Sequence, residues 1–299
     1  MRESRQLTDA PPADRPREPD VGGPRRARGL VAWLSAEEVQ RLSGHGADAL
    51  AVQRARNGLR RRAGEPDQSG LIAPWPASLG AYAELLLASE AGRAMVAEGW
   101  ELGVVTDLRR VVAAQPTVFV DSGEAEVVAL DANDPEAVAR LALPLSEPSA
   151  QVTARFDEAT ETWVISSRNP NLRISGTFGG EVQPNVLGFG FLVRVRPSFM
   201  SVAEVQGRYI LRDGYHRAYR LLGAGVLAVP AFVRRFVDED ESPFRTGMLP
   251  REVYCGDRPP TLADYHDHRV SDDVWLPPAE TVVLVHGAAR RASASDPQG

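Results

Sequence analysis

Arg208-Tyr-Ile-Leu-Arg-Asp-Gly-Tyr-His-Arg-Ala-Tyr-Arg-Leu-Leu-Gly-Ala-Gly-Val-Leu-Ala-Val-Pro-Ala-Phe-Val233 reads as strand, Asp-Gly turn, helix, glycine stop and strand. The expected helix runs from about Gly214 to Leu222 and opens with His216 and Arg217 in its first turn. A helix macrodipole places partial positive charge there, so cations at this end cost about 0.3–1 kcal/mol each when exposed. Arg212, just before the turn, adds a third cation. An anion among them reverses the sign. Free N–H groups, a glycine that lets backbone approach closely, an arginine and a histidine together suggest a phosphate pocket. The expected ligand-binding residues are therefore Arg212, Gly214, Tyr215, His216 and Arg217, with Asp213 and His216 as candidate catalytic groups.

The motif resembles the ParB/sulfiredoxin fold superfamily. The matching residues are Asp213, Gly214, Tyr215, His216 and Arg217, followed by Ala218, Leu221, Leu222, Gly225 and Val229-Pro230. The resemblance covers about residues 199–236. It implies nucleotide or phosphoryl binding at the turn, in a family that includes CTP-binding chromosome-partition proteins, free-serine kinases and sulfiredoxins. Asp-Gly-Tyr-His-Arg is similar to the Asp-Gly-His-His-Arg of the kinase-like members. Those members use an upstream glutamate as base, a role for which Glu204 is the nearby residue. Sulfiredoxin chemistry needs a cysteine at the position of Tyr215, and the single cysteine, Cys255, lies far downstream. The partition proteins carry an Arg-Arg pair at His216-Arg217 and a helix-turn-helix domain that this sequence does not display.

Composition narrows the classes further. The chain has 299 residues, 43% hydrophobic and 25% charged, enough for a substantial core. A net charge of −6 argues against broad nonspecific nucleic-acid binding, although a local basic patch stays open. All 34 basic residues are arginine. Without lysine there is no Walker lysine, Schiff base or lysine general base. One cysteine gives neither an internal disulfide nor a cysteine-based structural zinc site, and suits a cytoplasmic location. No apolar run approaches the ~18 residues of a membrane span, and no signal peptide is expected.

Four regions are expected. Residues 1–28, with seven arginines, five acids and five prolines, read as a disordered arm, with nucleic-acid binding as the alternative. Residues 29–115 read as helical. Ser35 and Glu38 form a capping box, a second helix spans about 47–62, and Leu79, Tyr82, Leu85, Leu86 and Met95 mark an apolar face. Arg54, Arg56, Arg60, Arg61 and Arg62 crowd the end of the second helix, where cations suit the dipole, with a nucleic-acid patch as the alternative reading. Residues 116–240 form the β-rich core. Within them, Gln115-Pro116 leads into a strand and 151–175 is a β-meander. Gly176–Gly180 and Gly188–Gly190 read as turns or a flap. Residues 241–299 form an irregular wrapping tail with a short buried strand at Thr281–Val285, disordered after about 287.

Each candidate residue has two readings. Arg217 is an anion ligand or a salt-bridge partner of a carboxylate. Asp213 caps the helix, or holds a proton or a metal. His216 acts chemically or braces the turn. Tyr215 and Tyr219 pack in the core or stack on a base. Arg212 completes the anion site or alternates outward along its strand. Asp264, His266 and His268 share a face if extended, but an Asp/His-rich loop is usually solvated, and no metal ligands are assigned. The sum is an α+β protein with a ParB/sulfiredoxin-like mixed sheet. Its expected ligand is a nucleotide, such as a nucleoside triphosphate with magnesium, or a phosphorylated small molecule. The activity is phosphoryl transfer, nucleotide hydrolysis or binding alone.

Overall fold

The structure is a computed structural model that describes residues 23–43, 49–61, 64–120, 130–132, 134–146, 151–169, 171–237, 244, 247–277 and 281–286. Its strands are β1 (Arg25–Gly29), β2 (Ile72–Pro74), β3 (Glu101–Val105), β4 (Val112–Ala113), β5 (Thr117–Phe119), β6 (Thr153–Asp157), β7 (Thr162–Ser167), β8 (Leu172–Gln183), β9 (Val186–Val195), β10 (Ser201–Val205), β11 (Arg208–Asp213), β12 (Val229–Phe236), β13 (Asp272–Leu276) and β14 (Thr281–His286). The α-helices among the described residues are α1 (Ala36–Ser43), α2 (Ala49–Arg60), α3 (Gly80–Ala88), α4 (Glu90–Ala97), α5 (Pro135–Ala142), α6 (Tyr215–Gly223) and α7 (Arg251–Tyr254). The protein is thus α+β. No helix among the described residues is long and apolar enough to cross a membrane.

The strand–turn–helix–strand reading of 208–233 corresponds to β11, α6 and β12. Both strands join a six-stranded mixed sheet of order β2-β3-β12-β10-β11-β4. β10 lies between β11, to which it is antiparallel, and β12, to which it is parallel. The central strands are apolar because both faces are covered. Val202, Ala203, Ile210, Leu211, Val229, Ala231 and Phe232 are fully buried. Ala218 and Leu221 carry the inner stripe of α6 into the same core, which also holds Trp100, Leu86, Leu262 and Tyr265.

Several elements differ from the sequence expectation. The Ser35–Glu38 capping box forms at the start of α1, with Glu38 accepting from the Ser35 N–H at 2.7 Å. The interruption at Gly44–Gly46 lies outside the described residues, and α2 then spans 49–60. Residues 71–115 hold α3 and α4 but also β2, β3 and β4, and β3 pairs antiparallel with β12. The apolar run 102–105 is short, which suits a buried strand as well as a helix turn. Asp107 caps a single 3₁₀ turn, accepting from the Arg109 N–H. β5 follows Gln115-Pro116 as expected, but it pairs with β1 and not within the central sheet.

Residues 25–28 are the clearest correction. They belong to β1, the middle strand of a three-stranded sheet of order β13-β1-β5, and not to a disordered arm. Composition misleads here because the charges are neutralised from far along the chain. Arg26 and Arg28 alternate along the strand and both bond Asp273, at 2.9 and 2.8 Å. Residues 1–22 and 287–299 lie outside the described residues.

The expected meander is also re-paired. β6 and β7 form a hairpin, but the third strand of their sheet is β14, giving the order β14-β7-β6. β14 alternates between partly buried and exposed residues and is not a buried strand. β8 turns away and forms a long two-stranded hairpin with β9. The expected glycine turns are strand residues in that hairpin. Gly190 carries no side chain because the Phe178 ring occupies the position: an added Cβ would lie 2.4 Å from the ring. The 241–299 tail is partly ordered into α7, a 3₁₀ turn at Leu262–His266, β13 and β14.

Candidate functional site

Gly214 separates β11 from α6 and adopts φ +96°, ψ +17°, a left-handed conformation that suits glycine. The close approach it permits is to the protein itself. A Cβ here would lie 3.1 Å from Met200 Cα. Asp213 does not cap the helix. Its Oδ1 accepts from the adjacent Gly214 N–H at 2.7 Å, and no side chain caps the first turn of α6.

The motif's side chains diverge from this turn. Tyr215 is buried. Its hydroxyl accepts from the Ala114 N–H at 2.9 Å and donates to the Leu211 carbonyl. Burial drives its pKa upward. Arg217 donates to the Leu141 and Ala142 carbonyls at 3.1 and 2.9 Å and to Ser198 Oγ at 2.8 Å. It thereby caps the C-terminus of α5, where a cation complements the dipole. His216 stacks on Phe119 with ring centroids 5.6 Å apart, and its buried Nε2 has no hydrogen-bond partner among the described residues. Burial, reinforced by Arg220 and Arg25, lowers its pKa to about 4, so the ring is neutral at pH 7. Tyr219 stacks on His266 with centroids 4.3 Å apart.

Arg212 and Asp213 point elsewhere. They line a cleft of about 330 Å³ bounded by the end of α4, the root of the β8–β9 hairpin and the start of β10. Arg173 and Arg196 enter from the hairpin root, so three arginines line one cleft with Asn171, Glu98 and Asp213. The Arg212 guanidinium lies 5.0 Å from the Trp100 ring centre, a cation–π contact that holds it in place. Ser201 also lines the cleft. It is fully buried, at 1% exposure, and its hydroxyl has no hydrogen-bond partner among the described residues. It sits where the β10–β11 register is irregular, between Ser201 and Val202. Gly214, Tyr215, His216 and Arg217 do not line this cleft.

Of the residues the motif singles out, Arg212 and Asp213 line the cleft, and its other polar residues are Glu98, Asn171, Arg173, Arg196 and Ser201. No local pattern distinguishes Arg173 or Arg196 from other arginines that alternate along a strand. Only the pairing of β8 with β9, Leu172 opposite Val195, brings them together. Glu204 is not in the cleft. It faces Arg235 at 3.4 Å.

The other tempting cluster separates. Asp264 forms a capping box with Thr261, His266 Nε2 contacts the Tyr219 carbonyl at 2.9 Å, and His268 Nδ1 lies 3.2 Å from Arg28. The segment is a 3₁₀ turn and not extended, so the three do not share a face. Arg54 on α2 and Arg61 just past its end border a second cleft of about 740 Å³ with Arg269 and His268, but Asp267 and Asp272 line it too. Arg56 is turned inward onto the Leu34 carbonyl, so α2 presents no unbroken basic face. No protein-family model, curated protein or solved structure matches this chain.

Proposed function

We propose that this chain is a phosphate-ligand-binding protein of the ParB/sulfiredoxin-like kind, its ligand a nucleotide or a phosphorylated small molecule. The observation that carries the reading is the cleft lined by Arg173, Arg196 and Arg212, with the buried Ser201 hydroxyl in its wall. A buried hydroxyl without a partner costs about 1–3 kcal/mol, and a ligand oxygen relieves that cost. Guanidinium groups match phosphate oxygens in geometry and charge. The order strand, glycine turn, helix, strand supports the family reading but does not by itself assign a function. A volume of about 330 Å³ suits a small phosphorylated molecule or the phosphate end of a nucleotide.

Calorimetric titration tests this with inorganic phosphate first, then with nucleoside mono-, di- and triphosphates with and without magnesium. Arg196→Ala and Arg212→Ala should each weaken binding by roughly 10- to 100-fold, the equivalent of one charge-assisted contact. Affinity unchanged in both variants sinks the reading. A second reading, phosphoryl transfer, draws on Asp213 and Glu98 in the same cleft, carboxylates able to hold magnesium or take a proton. Nucleotide turnover abolished by Asp213→Asn with binding retained would favour it. Binding without turnover in the unaltered protein favours the non-catalytic module.

A further inference from the structure

The β8–β9 hairpin is an unusual object to expose to water. Leu187 and Phe189 are 76% and 78% exposed, and Phe178, Val182, Val186 and Leu192 are also exposed. They divide between the two faces of the hairpin, Leu187 and Phe189 on one and Phe178, Val182, Val186 and Leu192 on the other, so neither face is a polar, solvent-suited one. Between Ile174 and Val193 the only charged residue is Glu181. Among the described residues the pairing is two-stranded, β8 with β9, and an isolated two-stranded hairpin is marginally stable in water. The outer edge of β9 has no strand beside it among the described residues, and its one charge is Arg194 near its end, with no proline.

We infer that β9 pairs antiparallel with β9 of a second copy of this chain, merging two hairpins into one four-stranded sheet. The sequence of β9 suits a two-fold axis at Gly190. Phe189 then faces Phe191 of the other copy, Leu187 faces Val193, and Arg194 faces Val186. No charge meets a like charge, and the aromatic pairs form twice by symmetry. Face parity is kept, because opposite residues differ by an even number along the strand. A lipid surface is the weaker fit. An open hairpin leaves backbone N–H and C=O groups unpaired at both edges, which hydrocarbon does not tolerate.

Sedimentation velocity over a concentration series tests the pairing on the full chain. The unaltered protein should move from 32.4 kDa toward twice that mass as concentration rises. Phe189→Lys and Leu187→Lys alter exposed side chains, so the fold should persist. Each places two new charges in the interface and should raise the dimer dissociation constant by at least about 30-fold. Leu85→Lys, at an exposed apolar site on α3, should leave the dimer unchanged. A protein that is monomeric at every concentration overturns the inference, as does a dimer indifferent to both hairpin substitutions. Co-sedimentation of a monomeric protein with phosphatidylcholine vesicles, lost in both hairpin variants, overturns it in favour of membrane contact.

Discussion

At the scale of single residues, His216 couples the motif to acid stability. Its ring is pressed against Phe119 with Nε2 buried and unpartnered among the described residues, and Arg220 and Arg25 disfavour a second positive charge there. The ordinary histidine pKa is about 6.5 in the unfolded chain, whereas in the folded chain it falls to about 4. Between those values the unfolded state binds the proton and the folded state does not. Stability is therefore full above about pH 6.5 and is lost as pH falls toward 4. Because the ring is partly exposed, the loss should be on the order of 2 kcal/mol. Thermal melts from pH 7 to pH 4.5 should show a falling Tm that flattens in His216→Phe. His266, also lowered by burial, leaves a residual slope of the same sign. Carboxylates such as Asp273 act at lower pH. Burial pushes that group up, but hydrogen bonds from Arg28 and Arg26 outweigh it and hold its pKa below the usual value. A slope identical in His216→Phe and the parent would show that the imidazole takes no part.

At the scale of elements, α5 and α6 are joined through Arg217. The sequence places this arginine at an end of α6 where a cation is unfavourable, which suggests a bound anion. The structure supplies another source of negative potential, the C-terminal carbonyls of α5, 75 and 76 residues earlier in the chain. Arg217→Ala should therefore lower stability by about 1.5–3 kcal/mol, the worth of hydrogen bonds to a charged donor, while leaving phosphate affinity close to that of the parent. Denaturant melts paired with the phosphate titration check both halves. A variant as stable as the parent but blind to phosphate would restore the direct ligand role. The strand–turn–helix–strand order was legible because its signals are local: an Asp-Gly turn, an apolar stripe at helical spacing and a Gly-Ala-Gly stop. The destinations of its side chains were not legible. Tyr215, His216 and Arg217 follow one another, yet they reach Ala114, Phe119 and Ala142 on three different elements.

At the scale of the whole molecule, the same limit explains β1. A window holding Arg25, Arg26 and Arg28 looks solvated because nothing nearby in sequence balances it. The balancing groups lie about 240 residues on. Arg28, only 4% exposed, donates to the Tyr265 carbonyl at 3.0 Å, to Asp273 at 2.8 Å and to Ser271 Oγ at 2.8 Å. Ala27 is completely buried between β13 and β5. Deleting residues 1–28 removes four of the five β1 residues and leaves Asp273 without both arginines. A hydrogen bond from a charged donor is worth about 1.5–3 kcal/mol, and each kcal/mol is worth about 2–4 °C in a domain of 150–250 residues. Loss of the Arg28 bonds should therefore lower Tm by at least about 3–12 °C. Deletion of 1–22 keeps every bond named here and serves as the reference. If both deletions melt together, β1 does not hold β13 and β5 in place. If only the longer one melts early, the arginine-rich segment 25–28 is a structural strand, and its charge is spent inside the fold and not on a nucleic-acid partner.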